Sequence, residues 1–240
     1  ILNFNFLLVV AFFAFALVLL LFLPDKGGVS ANRVRLKDLI TIFKKGSCFN
    51  HLILSQLFNG IANALPATLF IFFTTYVLKR PDLAGPLLVA YFLSAAISVP
   101  IWVRLTNIWR KERCWQVAMV ISAITFLGVL LVDEHAITLF FIITIITGLM
   151  AGADLSIPAS MLADIIDGDA KLNNHRRPGV YFAMWGTTSK LTLAFSVVIA
   201  FSLLGMDVFE PEAEGVLINT TWLIILYALL PPFFKLMAVF

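Results

Sequence analysis

Seven long apolar stretches separated by short polar connections dominate the chain: approximately 3–23, 49–78, 83–104, 114–132, 136–160, 179–205 and 216–238. A hydrocarbon layer about 30 Å thick takes roughly 20 apolar residues of α-helix to cross, and each stretch is near or beyond that length. None alternates apolar with polar residues over short segments, as the strands of a membrane barrel do. Only helices and closed barrels satisfy every backbone polar group in lipid. The pattern therefore predicts an all-α polytopic membrane protein with seven transmembrane helices.

The connections alternate in charge. Those at 24–48, 104–113 and 161–178 carry Lys26, Arg33, Arg35, Lys37, Lys44 and Lys45, then Arg104, Arg110, Lys111 and Arg113, then Lys171, Arg176 and Arg177. The intervening ones hold only Lys79 and Arg80 among acids such as Asp133, Glu134, Glu210 and Glu212. Basic loops face the cytoplasm, so the first helix is expected to run inward and the last to end inside. The longest connection opens on a breaker, "LPDKGG", and then places Leu36, Leu39, Ile40 and Phe43 on one helical face with basic residues opposite. That predicts a helix lying on the anionic inner leaflet, either as an interfacial linker or as a regulatory segment.

One helix, a long basic loop and six further helices resemble the seam of a two-bundle transporter. The expected domains are 1–23, the last helix of an N-terminal bundle; 24–48, a cytoplasmic interdomain loop with its interfacial helix; and 49–240, a C-terminal six-helix bundle. Both ends fall inside apolar runs, which suits a piece of a longer protein whose N-terminal half is the missing partner. Within the bundle, 49–132 is expected to superpose on 136–238 as an inverted repeat.

Composition narrows the class. Hydrophobic residues make up 61% and charged residues 13% of the 240, against about half and a quarter in soluble domains, and mean hydropathy is +0.98. The lipid bilayer is the first partner implied. Cys48 and Cys114 are isolated, which implies neither a disulfide framework nor a metal site. There is no GxSxG, HExxH or P-loop, and His51, His135 and His175 fall in separate regions. No enzyme activity, cofactor, metal or nucleic-acid partner is expected.

Chemistry concentrates in a few polar residues within the apolar runs. Lys190 lies 11 residues beyond Gly179, roughly 16 Å into its helix, near the bilayer midplane. A lysine there costs at least about 2.5–3.5 kcal/mol on insertion scales, and its stem is too short to snorkel out. Asp154, in "GLMAGADLSIPAS", lies at comparable depth on the preceding helix and is expected either to pair with Lys190 or to cap a helix broken by Pro158. Asn59 and Asn63 share a helix face and either line a sugar-sized cavity or join helices by buried amides. Trp185 and Thr188, just before Lys190, are candidate substrate contacts. Asp164 and Asp167, with Arg176 and Arg177, are candidates for a cytoplasmic gate closed by salt bridges.

The stretch "SMLADIIDGDAKLNNHRRPGVYFAMWGTTSKLTLAF" resembles the region between the tenth and eleventh helices of the glycoside–pentoside–hexuronide:cation symporters, the melibiose-permease-like branch of the major facilitator superfamily. "ANALPATLFIFFTTYVL" is similar to their seventh helix, and the whole chain to their sixth to twelfth helices out of 12. The resemblance implies alternating-access symport of a sugar or glycoside with a cation, Na⁺ or H⁺. It implies that Lys190 lies near a cation site built mainly by carboxylates of the N-terminal half, that Trp185 approaches the sugar, and that Asp164 and Asp167 are the paired acids of the cytoplasmic loop. The connection "RLTNIWRKER" lacks the family's usual Gly-Lys or Asp-Arg-Gly pattern, and Asp154, Asn59 and Asn63 do not match melibiose permease itself. A lysolipid or other small-solute carrier of the same superfamily is the nearest alternative; a membrane-embedded enzyme or a non-transporting receptor is the alternative of another class. The expected location is the plasma membrane (bacterial inner membrane), with multiple passes.

Overall fold

The computed structural model describes residues 10–15, 17–18, 21, 47–173, 177–207, 209–212, 215–218 and 220–239. The amphipathic helix expected within 24–48 lies, up to residue 46, outside the described residues, as does Arg176. The chain divides into two compact units, Ile1–Arg35 and Leu36–Phe240. In the first, residues 10–15, 17–18 and 21 are helical, and Phe12 and Leu21 are exposed.

The second unit is built of six long helices. Helix α1 (Ser47–Phe72) runs into a π-helical turn, Phe73–Val77. A short 3₁₀ turn, Pro81–Leu83, leads into α2 (Ala84–Leu105). Helix α3 (Lys111–Leu127) tightens into a 3₁₀ turn at Gly128–Leu131. Helices α4 (Ile137–Asn173) and α5 (Pro178–Asp207) follow, and α6 (Thr220–Val239) ends the bundle. All six contain spans long and apolar enough to cross a bilayer. Between α5 and α6 the acidic connection forms a small antiparallel hairpin, β1 (Phe209–Glu212) with β2 (Gly215–Ile218), Phe209 opposite Ile218. The pattern of apolar runs had begun the last helix at 216, so most of β2 falls where a helix was expected; four-residue strands carry too little periodicity to register.

Partner choice among the helices is interlocked. Helix α1 packs chiefly on α5 and α6, α4 packs chiefly on α2 and α3, and α3 meets α6. Exchanging α1, α2, α3 for α4, α5, α6 leaves this list unchanged, which is the pairing that two inverted triplets require. The two strongest seams rest on missing side chains. A Cβ on Gly148 would lie 2.1 Å from Ser94 Oγ, and one on Gly152 2.0 Å from Ser98 Oγ, so α2 and α4 approach as backbones. Gly60 does the same for α1 and α5, where a Cβ would meet Thr192 Cγ2 at 2.6 Å. Small residues four apart are how helices approach closely in lipid, where no hydrophobic drive joins them.

Two apolar cores result. One gathers Leu65, Leu69, Phe73, Phe140, Leu223 and Tyr227 toward the end carrying the 78–84 and 132–136 connections. The other gathers Phe49, Trp102, Trp115, Ile157, Leu162 and Tyr181 toward the basic end. Between them lies a buried polar layer.

Candidate functional site

Asp154 occupies that layer. Four residues on, Pro158 has no N–H for the Asp154 carbonyl, so the ladder of α4 opens there. Four nitrogen donors converge on the side chain. Asn59 Nδ2 and Trp115 Nε1 donate to Oδ1 at 3.0 and 2.7 Å. Asn63 Nδ2 donates to Oδ2 at 2.9 Å, and Lys235 Nζ stands 3.5 Å from the same oxygen. Lys235 Nζ also donates to Asn59 Oδ1 at 3.0 Å, so amide, carboxylate and ammonium form one closed network drawn from α1, α3, α4 and α6.

The network is deeply placed. The side chain of Lys235 is 2% exposed and that of Asp154 13%. At such burial an isolated charge costs several kcal/mol, and a pair persists only when hydrogen bonds satisfy its remaining sites. An ionised carboxylate offers about four lone-pair positions; here each has a donor. The arrangement is electrically balanced and leaves no oxygen free to ligate a coupling ion.

The ion pair expected between Asp154 and Lys190 is therefore not formed. Position along a helix does not fix direction around its axis. Thr188 and Thr192 are buried on the face of α5 that meets α1. Lys190 falls between them, two residues and roughly 200° from either, and is exposed. No hydrogen bond or ion pair joins it to a described residue. Lys235 takes the place assigned to it.

A crevice of about 220 Å³ opens above the network. Exposed Ile71 of α1 and Leu88 and Phe92 of α2 form its mouth, at the seam where those helices scarcely touch. Its floor is Asn63, Asp154 and Lys235. Most of the wall is apolar, and the hydroxyls of Thr144 and Thr147 are already spent on the carbonyls of Phe140 and Ile143. The ring of Tyr227 is clamped against Phe73 at 4.4 Å between centroids, and Phe73 in turn stacks on Phe140 at 5.0 Å.

The remaining expected residues lie elsewhere. Trp185 packs against the basic-end core, away from the crevice, and the Thr188 hydroxyl bonds the carbonyl of Met184 at 3.0 Å. Asn59 and Asn63 do project inward, as helix-joining amides bound to Asp154. Asp164 pairs with Lys111, from the connection that departs from the symporter pattern. Lys111 starts α3 and reaches α4 directly, because those two helices pack side by side. Asp167 and Arg177 both have partners within the structure.

Three residues escaped the sequence reading. Lys235 stands in the last apolar run, a few residues from its end, Trp115 follows a basic loop, and Tyr227 lies within an apolar run; none was singled out. The usable signal was "YALLPPFFK": Pro231 and Pro232 strip two ladder bonds from α6 between Tyr227 and Lys235, a cost that buried polar residues nearby help explain.

Residues 3–240 match the model of the MFS/sugar transport protein family. The chain belongs to that family, within the major facilitator superfamily. It is thus part of a multi-pass membrane protein of a transporter family, and the membrane-embedded enzyme is set aside. Among curated proteins, the sodium-dependent lysophosphatidylcholine symporter 1 of Mus musculus is 28% identical over 167 residues, covering 68% of this chain and 30% of that protein. The proteins of the same name from Gallus gallus and Homo sapiens are 30% and 29% identical over 167 residues, covering 31% and 30% of their lengths. The matched stretch spans under a third of these relatives. None of the three carries a sugar in its name, so the melibiose-permease-like placement is not supported at that finer level.

Proposed function

We propose that this bundle is the C-terminal half of a cation-coupled carrier for a single-chain lipid of the lysophospholipid class, with Na⁺ as the coupling ion, rather than for a sugar or glycoside. One observation carries the reading: the crevice is apolar and its polar floor is closed. A sugar ring needs hydrogen-bond partners around its whole rim, whereas the walls here are mostly apolar and Asn59, Trp115 and Asn63 turn their N–H groups to Asp154. A hydrocarbon chain needs none. The names of the relatives support both the lipid and the sodium.

In this reading the Asp154–Lys235 pair holds the bundle together, while exposed Lys190 remains available to carboxylates of the partner bundle for cation coupling. The Lys111–Asp164 ion pair, with Asp167 and Arg177, makes the cytoplasmic gate. The test is uptake by the full-length protein in vesicles under an imposed sodium gradient. Labelled lysophosphatidylcholine should accumulate and labelled melibiose should not; melibiose uptake, or its competition with the lipid, overturns the reading.

A further inference from the structure

Three hydroxyls line the crevice without a hydrogen bond to any described residue, those of Tyr227, Tyr91 and Ser122, and the two phenols reach furthest from their backbones. Tyr227 is 4% exposed, yet its phenol makes no hydrogen bond. It is also not among the sealed polar atoms that lack a partner, so the hydroxyl touches open space, and the space it lines is the crevice. Tyr91, half-buried and lining the same crevice, likewise makes no side-chain hydrogen bond to a described residue. A buried hydroxyl left without a partner costs about 1–3 kcal/mol. Tyr227 is stacked on Phe73, and the Tyr91 ring meets Phe92 edge to face at 5.3 Å while its backbone is pressed against Gly148.

Shape selects what could fill the space. Along α4 the lining runs from Phe140 to Asp154, roughly 21 Å of helix. A volume of 220 Å³ is larger than the ~150 Å³ apolar cavity that admits a benzene ring, and a lining that follows α4 for several turns suits an extended apolar chain. The Asp154–Lys235 floor is neutral as a pair, so no net charge draws an ionic headgroup inward.

We propose that this slot binds one acyl chain, and that Tyr227 and Tyr91 donate hydrogen bonds to the ester carbonyl at its head. This rests on the lysolipid reading and adds the site and the chemical group recognised. The ester carbonyl is the single acceptor that distinguishes an acyl lipid from its ether analogue, and it enters an apolar slot without carrying charge.

The experiment uses purified full-length protein, lysophosphatidylcholine with a diazirine on its acyl chain, and unlabelled ester and ether lysophosphatidylcholines as competitors. In the wild type the ester should compete about three- to tenfold better than the ether, the worth of one neutral hydrogen bond, and cross-links should fall on α2, α4 and α6. Tyr227→Phe keeps the ring and its stacking; it should reduce the ester preference, Tyr227→Phe with Tyr91→Phe should bring the ester down to the ether's affinity, and Ala151→Phe should abolish the cross-link by filling the slot. Unaltered ester preference in Tyr227→Phe, or cross-links confined to other helices, overturns the assignment even where sodium-driven lysolipid uptake is intact. Cross-linking with the expected preference but no uptake upholds the site and sinks the transport reading instead.

Discussion

Two lysines stand within apolar helices of this bundle, and their surroundings are opposite. Lys235 on α6 is sealed among Asn59, Asp154 and the apolar cores. Lys190 on α5 is exposed and meets no described partner. The same cation serves two purposes. One neutralises a carboxylate and ties four helices, at the cost of being immobile and fully committed. The other keeps its charge available. A transporter needs both kinds of residue, and a hydropathy profile cannot tell them apart.

The sharpest way to break the comparison is to remove each lysine in turn. Lys235→Met leaves Asp154 buried without its cation, and breaking a buried pair costs about 3–5 kcal/mol. The variant should lose most of its folded fraction in detergent thermal melts, and adding Asp154→Leu should restore much of it. If Lys235→Met melts like the wild type, the pair is not structural.

Trp115→Phe comes next. It deletes one N–H donor to the carboxylate while keeping most of the ring, and a hydrogen bond to a charged group contributes about 1.5–3 kcal/mol. A corresponding fall in stability with no change in expression is the expected result; equality with the wild type would mean water replaces the indole.

Lys190→Ala should alter stability by no more than about 0.5 kcal/mol, as surface changes do, yet abolish gradient-driven uptake by the full-length protein. Arginine should not rescue it, since its planar fork and permanent charge differ from a compact ammonium. Uptake at the wild-type rate would remove Lys190 from coupling and leave the contrast between the lysines a matter of packing alone.

The smallest effect concerns an exposed tie at the end opposite the basic loops, which offers a solvated counterpart to the buried pair. Lys79 donates to Glu134 at 2.6 Å, and that hydrogen bond, helped by the ammonium charge, holds the Glu134 carboxyl below the usual carboxylate range. A depressed folded pKa adds stability above the unfolded value and loses it as pH falls through the folded one. Carboxyl titration followed by NMR should therefore show Glu134 protonating at lower pH than in Lys79→Met. An identical midpoint in the two proteins would show that water has replaced the contact.

The membrane helices were legible because their signal is long and one-dimensional: about 20 apolar residues need no knowledge of neighbours. Asp154, Asn59 and Asn63 were also legible, since a polar residue in an apolar run is costly wherever it points. Which cation answered Asp154 was not. Choosing Lys235 over Lys190 depends on the azimuth of α5 and on α6 returning beside α1, and both are properties of the assembled bundle. The placement of the asparagines turned on the same fact, because their amides reach Asp154 only once α4 stands beside α1.

The interlocked pairing of the helices also sets a timetable. Asn59 waits for Asp154, 95 residues later, and for Lys235, 176 residues later. At the usual ~5–20 residues per second of synthesis, the second interval lasts roughly 9–35 s. Through it α1 stands in the membrane with two amides and, before α4 arrives, nothing to bond them. The newborn bundle is thus at its most vulnerable after its first three helices, when a membrane chaperone or a wrong neighbour could claim the polar face that α4 and α6 are built to close.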